Sequence, residues 1–284
     1  MSAPIVVGTD GSGAAERAVE WAAADAAQRH RPLHIVHAAQ IWPYQVRRFV
    51  PPDESERVSR AGRSVLRKAE EHVRTHWPEL RVTTALLVNA APDALRDESK
   101  NAFELVVGQR GHGGFASLLL GSVSLRVAGH SSVPVVVVRG ETRTSRGEVA
   151  MGYAMEGEEG DVLEYAFDAA AVRGARLRVV HAWQISASLA ESGYPLDEDR
   201  MSDERRARII AAYAPLYERY PLVEVVNEVL VGHPVSALSA ASRAADLLVV
   251  GASGHRWGVP GLGSVGHGVV HHAECPVAVV GRSR

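Results

Sequence analysis

The sequence predicts an α/β protein with two tandem, doubly wound, parallel five-stranded sheets flanked by helices. Its 284 residues exceed the usual size of one small domain and favour two. Segments recur in the same order at an offset of 142 to 144 residues, which indicates an internal duplication. Within each copy, short β-branched runs alternate with helical stretches, a pattern typical of parallel α/β folds.

The duplication is clearest in two segments. LHIVHAAQI, which begins at Leu33, returns as LRVVHAWQI at Leu177, and LGSVSLRVAGHSSVPVVVV returns without a gap as LGSVGHGVVHHAECPVAVV. Between the copies, residues 140–147 form a polar stretch with few apolar side chains, which is typical of a linker. We therefore predict a first domain over 1–140 and a second over 147–284.

Each copy contains five expected strands. In the first copy the strands are expected at 4–8, 33–38, 82–88, 103–107 and 133–139, and the helices at 14–30, 54–76, 92–102 and from Gly121 onward. In the second copy the strands are expected at 148–152, 177–183, 223–231, 247–250 and 277–280. Ligands of doubly wound sheets sit outside the carboxyl ends of the strands, near the point where the strand order reverses. We therefore expect a site at the ends of the first, second and fourth strands.

The composition argues against several classes of partner. The formal net charge is -2, from 31 basic and 33 acidic residues, so no overall field would recruit nucleic acid or an anionic membrane. Cys275 is the only cysteine, which excludes an internal disulfide and a cysteine metal cage. The N-terminus lacks a basic region before an apolar run, and no apolar stretch approaches about 18 residues. We expect a cytoplasmic protein with no nucleic-acid or membrane partner.

A glycine-rich loop follows the fourth strand of the first copy. It contains Gly108, Gly111 and Gly121, with Arg110 and Ser122 beside them. Glycine lets main-chain N–H groups approach phosphate oxygens closely, and a helix N-terminus favours an anion. Turns also require glycine for the fold alone, so the loop by itself leaves both interpretations open. It lacks the GxxxxGK[ST] pattern, which excludes a P-loop NTPase.

Asp10 ends the first strand of the first copy. Its carboxylate is placed to accept a hydrogen bond from a ribose hydroxyl or from the adenine amino group. The alternative is an aspartate that only stabilises the turn before the first helix. In the second copy Gly251, Gly254 and the pair Gly263 and Ser264 reproduce the glycine-rich loop, and there too inheritance for the fold alone stays open.

Together these motifs resemble the universal stress protein family in its tandem-domain form, over nearly the whole chain. ATP-binding members show G-x2-G-x9-G-[ST] after strand four, and Gly108, Gly111, Gly121 and Ser122 match it without a gap. VGTDGS at the first strand, HA at the end of the second strand and SVPVVVV at the last strand of the first copy are also family features. The resemblance implies an adenine nucleotide α hydrolase-like fold that binds ATP together with Mg²⁺.

The resemblance also implies which residues form the nucleotide site. In ATP-binding relatives, the positions that match Asp10 and Ala38 contact adenine and ribose, with Thr9 beside them, and the loop positions surround the phosphates. Those loop positions are Val107, Gly108, Arg110, Gly111, His112, Gly121, Ser122 and Val123. Relatives pair through their last strand, which implies an intrachain pseudo-dimer of 135–138 with 277–280, or a homodimer.

The second copy departs from the family pattern in three places. Asp10 aligns with Ala154, Arg110 aligns with Ser253, and eight rather than nine residues separate the second and third glycines of the loop. Each lost charged group removes about 1–3 kcal/mol of hydrogen bonding. We therefore predict that the second site, at Gly251, Gly254, Gly263 and Ser264, is weak or empty.

We expect an ATP-binding regulator of stress or dormancy without dedicated catalysis. Ser122 has no histidine and acid at a recognisable spacing, so no catalytic residue is assigned. His267 and His271 have a spacing that suits a metal but lack an acidic or cysteine partner, so a helix-surface role is favoured and no metal site is assigned. Two alternatives stay open, a slow ATPase and an interaction scaffold that binds no nucleotide, and the sequence does not identify a protein partner.

Overall fold

The computed structural model describes residues 2–39, 52–111, 120–140, 145–155, 160–185, 197–252 and 261–281, with the backbone alone for 52–55. The chain separates into two compact units, 1–142 and 143–284. Each unit contains a five-stranded parallel sheet flanked by helices, which confirms the predicted fold class. Within the described ranges, no helix combines the length and the apolar content needed to cross a membrane.

A parallel sheet forms the centre of the first unit. Its strands are β1 (Ile5–Gly8), β2 (Leu33–Ala38), β3 (Val82–Leu87), β4 (Glu104–Gly108) and β5 (Val135–Val138). They lie in the order β3-β2-β1-β4-β5, and Val7 of β1 lies opposite Ile35 on one side and Val106 on the other. The strand order reverses between β1 and β4, so the topological switch point lies between their carboxyl ends.

Helices pack against this sheet in two pairs. They are α1 (Gly13–Gln28), α2 (Pro52–His76), α3 (Ala91–Glu98) and α4 (Ser122–His130). The helix α1 packs on β1 and β4 and contacts α2, whereas α3 contacts α4 and packs on β2. Ser12 caps α1, because its Oγ accepts a hydrogen bond from the amide of Ala15 at 3.3 Å. The buried face of α1 is made of small residues such as Ala18 and Ala22, so the helix lies close to the sheet.

The second unit repeats this topology. Its strands are β6 (Glu148–Gly152), β7 (Arg176–Trp183), β8 (Val225–Val231), β9 (Leu247–Gly251) and β10 (Val277–Val280), in the parallel order β8-β7-β6-β9-β10. Its described helices are α5 (Gly160–Arg173), α6 (Glu198–Arg219), α7 (Pro234–Ser242) and α8 (Ser264–His272). Phe167 of α5 is fully buried, and its ring centroid lies 5.8 Å from that of Tyr213 on α6. Aromatic packing therefore joins these two helices.

The predicted strands and helices form, and the differences lie at their ends. The helix expected over 92–102 ends at Glu98, because the bonding then changes from i→i−4 to i→i−3: the amide of Lys100 donates to the carbonyl of Asp97 at 3.4 Å, and that of Ala102 to the carbonyl of Ser99 at 2.9 Å. The strand expected from 223 begins at Val225, because the amide of Val223 instead donates to the carbonyl of Tyr220 in a turn. Hydrophobic periodicity located these elements, whereas local hydrogen bonds determined where they end.

His37 and His181 occupy equivalent positions in the two units and make the same contact. Nδ1 of His37 lies 2.7 Å from the carbonyl oxygen of Thr9, and Nδ1 of His181 lies 2.9 Å from that of Tyr153. A carbonyl oxygen only accepts, so each imidazole donates its N–H. In each unit this hydrogen bond joins the second strand to the chain that follows the first strand.

The carboxylate of Asp246 anchors the beginning of the second unit. Its Oδ1 accepts from the amide of Arg146 at 2.7 Å, and its Oδ2 accepts from the amide of Gly147 at 2.8 Å. The hydroxyl of Ser145 donates to the same Oδ2 at 3.0 Å. The guanidinium of Arg146 also donates to the carbonyl of Ser242 at the end of α7. One carboxylate therefore attaches the chain before β6 to the body of the unit.

Replacing Asp246 removes the acceptor of three main-chain amides, because the amide of Glu148 also donates to its Oδ2 at 3.4 Å. We expect Asp246→Ala to lower the free energy of unfolding of the second unit by about 1.5–3 kcal/mol, the range for hydrogen bonds to a charged group. Asp246→Asn keeps one acceptor oxygen and should lose less. Urea unfolding followed by circular dichroism measures both variants, and a loss of the same size in the two would contradict the role of this acceptor.

Burial makes the stability of the second unit depend on pH through His181. Burial lowers the pKa of His181 below its ordinary value, and the guanidinium groups of Arg205 and Arg208 act in the same direction, against the hydrogen bond to Tyr153. The unfolded chain takes up this proton near pH 6.5, whereas the folded unit takes it up only at lower pH. The stabilisation is therefore complete above about pH 6.5 and is lost as the pH falls below that value.

The variant His181→Gln removes this titration. We expect its free energy of unfolding to decrease less than that of the wild type when the pH is lowered from about 7 to about 5. Denaturant unfolding at a series of pH values measures the difference between the two proteins, in which the other titrating groups cancel. A parallel pH dependence in both proteins would mean that His181 does not contribute.

Candidate functional site

A cavity of about 240 Å³ lies at the carboxyl ends of β1, β2 and β4, beside the N-terminus of α4. This is the edge of the first sheet at which the strand order reverses. The predicted site residues that line the cavity are Thr9, Asp10, Ala38, Val107, Gly108, Arg110, Gly111, Gly121, Ser122 and Val123. His112 lies outside the described residues. The fold thus brings three separate parts of the sequence together around one space.

The carboxylate of Asp10 lines the cavity and also shapes the turn before α1. Its Oδ1 accepts a hydrogen bond from the amide of Ser12 at 3.0 Å, so the turn role considered from the sequence is present. Its Oδ2 lies beside Gly111, where a Cβ built on that glycine would overlap the oxygen. Glycine at position 111 therefore leaves the space in which the Asp10 carboxylate lies.

Gly108, the last residue of β4, lies against the first turn of α1. A Cβ built on Gly108 would lie 2.6 Å from the carbonyl oxygen of Ala14, which is closer than such atoms approach one another. The neighbouring atom belongs to the backbone, so no side-chain rotation could relieve the overlap. Gly121 is less crowded, because a Cβ there would lie 3.4 Å from the Cα of Arg110.

The helix α4 begins at the cavity. Its N-cap residue is Gly121, in an extended conformation and without a side-chain cap from the described residues. The amide of Gly121 donates to the carbonyl of Gln109 at 2.8 Å, which holds the two ends of the loop together. The first amides of an α-helix have no acceptor within the helix. Ser122 and Val123 therefore present donors and the positive end of the helix dipole to the cavity.

The cavity also has lining residues that sequence reasoning did not assign. They are Gly8, Ala15, Val36, Ala91, Leu95 and Ser124. A Cβ built on Gly8 would lie 2.9 Å from Cδ2 of Leu95, so the helix α3 packs closely on the end of β1. The same arrangement recurs in the second unit, where a Cβ on Gly152 would lie 2.9 Å from Leu238. The recurrence of this glycine in both copies could therefore have indicated, from the sequence, that a helix packs closely on the end of the first strand.

The equivalent edge of the second unit keeps part of this construction. Gly251 ends β9, and Gly263 is the N-cap of α8, which begins at Ser264. Gly254 lies outside the described residues. A Cβ built on Gly251 would lie 3.4 Å from Cγ2 of Val162, so this strand end has more room than the end of β4.

The described residues contain no group of three histidine, cysteine, aspartate or glutamate side chains that could hold a metal ion. The rings of His267 and His271 lie 4.6 Å apart on α8, and His267 is exposed. Two neighbouring imidazoles on one helix face are a usual arrangement at i, i+4 spacing. The contact between His267 and His271 is therefore explained by their spacing on the helix.

Comparison with known proteins connects both units to one family. The model of the universal stress protein family matches residues 1–139 and 150–281. A universal stress protein of Mycobacterium tuberculosis is 31% identical over 298 residues, which cover 97% of this chain and 94% of the relative. The match therefore includes both copies of the repeat and nearly the full length of each protein.

A solved structure that covers nearly the whole chain has the same fold. The crystal structure of a universal stress protein from Archaeoglobus fulgidus has a TM-score of 0.72 at 20% identity and covers 99% of this chain and 97% of its own. A universal stress protein crystallised in complex with cAMP is 30% identical, covers 49% of this chain and 98% of its own, and has a TM-score of 0.37. On the family match to both halves and the near full-length relative, this chain belongs to the universal stress protein family, in tandem-domain form.

Proposed function

We propose that the first unit binds ATP in the cavity at the carboxyl ends of β1, β2 and β4. In this proposal the bound nucleotide alters the conformation or the partner choice of the protein during stress or dormancy. One observation carries the proposal: a single cavity is lined both by the carboxylate of Asp10 and by the N-terminus of α4. A nucleotide has a hydrogen-bonding ribose and base at one end and a polyanion at the other, and these two groups match its two ends.

Adenine and ribose suit the part of the cavity near Asp10. Val36 lies opposite Gly8 in the sheet, and with Ala38 and Leu95 it gives this part an apolar lining for a flat base. The carboxylate of Asp10 accepts from a ribose hydroxyl or from the adenine amino group. Specificity for the nucleoside would then come from one charged hydrogen-bond acceptor, the carboxylate of Asp10, among apolar side chains.

The triphosphate suits the part of the cavity between β4 and α4. The first amides of α4, at Ser122 and Val123, face this part of the cavity, and Ser122 adds a hydroxyl donor. Arg110 lines the same cavity, and a guanidinium has the geometry to bind a phosphate through two hydrogen bonds. Mg²⁺ would arrive with the nucleotide, held mainly by phosphate oxygens and water.

The second unit should bind nucleotide weakly or not at all. Ala154, which is exposed, occupies the position that Asp10 has in the first unit, and Ser253 aligns with Arg110. Each loss removes about 1–3 kcal/mol of charged hydrogen bonding, or about 5- to 150-fold in affinity. Gly251 at the end of β9 and Gly263 at the N-cap of α8 remain.

A binding role is supported over a catalytic one. Among the described residues that line the cavity, Asp10 is the only acid, and there is no histidine. Phosphoryl transfer to water requires a positioned water molecule and metal ligands in addition to a bound triphosphate. The similar protein of M. tuberculosis is named a universal stress protein, which supports a role in stress.

ATP binding and its asymmetry can be measured by calorimetric titration of the intact protein. We expect a stoichiometry of about one ATP per chain, because only the first unit has the charged groups. Asp10→Ala should weaken binding by about 5- to 150-fold, the equivalent of 1–3 kcal/mol. Gly108→Ala should also weaken binding, since its Cβ would overlap the carbonyl of Ala14 and displace α1 from the strand end.

Gly251→Ala is the matched control for Gly108→Ala. It makes the same change at the equivalent strand end, where the new Cβ would be 3.4 Å from Val162, so ATP affinity should stay unchanged. Circular dichroism establishes that each variant is folded. Two equal sites per wild-type chain, or an equal effect of the two glycine substitutions, would contradict the asymmetry.

Hydrolysis separates the binding role from the ATPase alternative. Phosphate release by the purified protein with ATP and Mg²⁺ should stay below about 1 per second, the low end of typical enzyme rates. The reason is that Asp10 is the only acid among the described lining residues, and this proposal assigns it to the ribose and the base rather than to an attacking water molecule. Sustained turnover above that rate, abolished by Asp10→Ala, would establish the ATPase instead.

A further inference from the structure

The hydroxyl of Ser124 joins the start of α4 to the end of β4. Its Oγ donates a hydrogen bond of 2.7 Å to the carbonyl oxygen of Gly108, and the Ser124 residue is only 4% exposed. Serine within a helix usually bonds to its own helix or points to solvent. Here it bonds instead to a residue 16 positions earlier, on a different element. A contact of this kind fixes two elements relative to each other.

This hydrogen bond lies at the part of the cavity proposed for the phosphates. Ser124 is the third residue of α4, so its position is coupled to those of Ser122 and Val123, whose amides begin the helix. The amide of Gly121 makes a second tie, to the carbonyl of Gln109 at 2.8 Å. Together the two bonds hold the first turn of α4 against the strand end from which the loop departs.

The second unit provides a natural comparison. The segment 120–138 aligns with 262–280 without a gap, and Gly266 stands at the position of Ser124. A Cβ built on Gly266 would lie 3.9 Å from the carbonyl oxygen of Gly251, so the geometry is kept while the hydroxyl is absent. The unit that lacks the charged groups of the site therefore also lacks this tie.

We propose that Ser124 is a positioning residue for the phosphate-binding end of the cavity. The inference rests on the proposed function, that is, on nucleotide binding by the first unit. Ser124 need not touch the ligand. It holds the amides of Ser122 and Val123 in place before the ligand arrives, so that binding does not have to supply the free energy of ordering them.

Separate titrations with ATP and with adenosine test this role. We expect Ser124→Ala to weaken ATP binding by about five- to tenfold, the effect of losing one hydrogen bond. Adenosine has no phosphate and does not use the start of α4, so its affinity should be unchanged. Amide hydrogen exchange of residues 120–125 in the nucleotide-free protein should become faster, because the first turn of α4 has lost its tie.

Two further variants serve as controls. Ser124→Thr keeps the hydroxyl and therefore the hydrogen bond to Gly108. Its affinity for ATP should stay within about twofold of that of the wild type, a smaller change than the loss of one hydrogen bond would cause. Ser242 is fully buried in the second unit, where its hydroxyl donates to the carbonyl of Ser239 at 2.7 Å and accepts from the amide of Glu274 at 2.9 Å. Ser242→Ala therefore loses at least as much buried hydrogen bonding as Ser124→Ala and should leave ATP affinity unchanged.

The outcomes distinguish this inference from the function on which it rests. If the wild type binds ATP and adenosine but Ser124→Ala weakens both by the same factor, or weakens neither, the positioning role is wrong. If Ser242→Ala lowers ATP affinity as much as Ser124→Ala does, the effect is one of general stability and the role is again wrong. A wild type that binds neither ligand would overturn the proposed function itself.

Discussion

The candidate site depends on how closely α1 approaches the end of β4. At that contact the carbonyl oxygen of Ala14 occupies the space that a Cβ on Gly108 would need, at 2.6 Å. The carbonyl belongs to the main chain, and the backbone fixes where a Cβ would lie, so no side-chain rotation could relieve the overlap and glycine is required. The approach places the turn that contains Asp10 beside the loop after β4. A carboxylate and a helix N-terminus, which are distant in the sequence, therefore line one cavity.

Comparing the two units separates what the fold requires from what the site requires. Gly8 packs against a leucine of α3, and Gly152 packs against a leucine of α7. In both units a histidine of the second strand also donates a hydrogen bond to the chain just after the first strand. These contacts persist because both sheets need them. Asp10 and Ser124 differ, since alanine and glycine stand at their positions in the second unit. After the duplication, the second copy kept the packing glycines without the polar groups of the site.

Much of the fold was predictable because its signals are local. Alternating runs of β-branched and helical residues located the elements. The end of α3 and the beginning of β8 differed, because turn hydrogen bonds after Ser99 and at Val223 replace the regular pattern there. The glycine motif and Asp10 were predicted as site residues, whereas Leu95 was not. An apolar side chain that lines a cavity has the same pattern in the sequence as one in the core.

The sequence by itself determined the duplication, the order of strands and helices, and the positions of the glycines that a phosphate loop would need. Only the tertiary structure decided that the carboxylate of Asp10 lies in the space left by Gly111, and that Ser124 donates to Gly108. Repeats and periodicity depend on residues that are close in the chain or aligned between copies. The distances across the cavity depend instead on how α1, α3 and α4 pack on one sheet, and no local pattern encodes such distances.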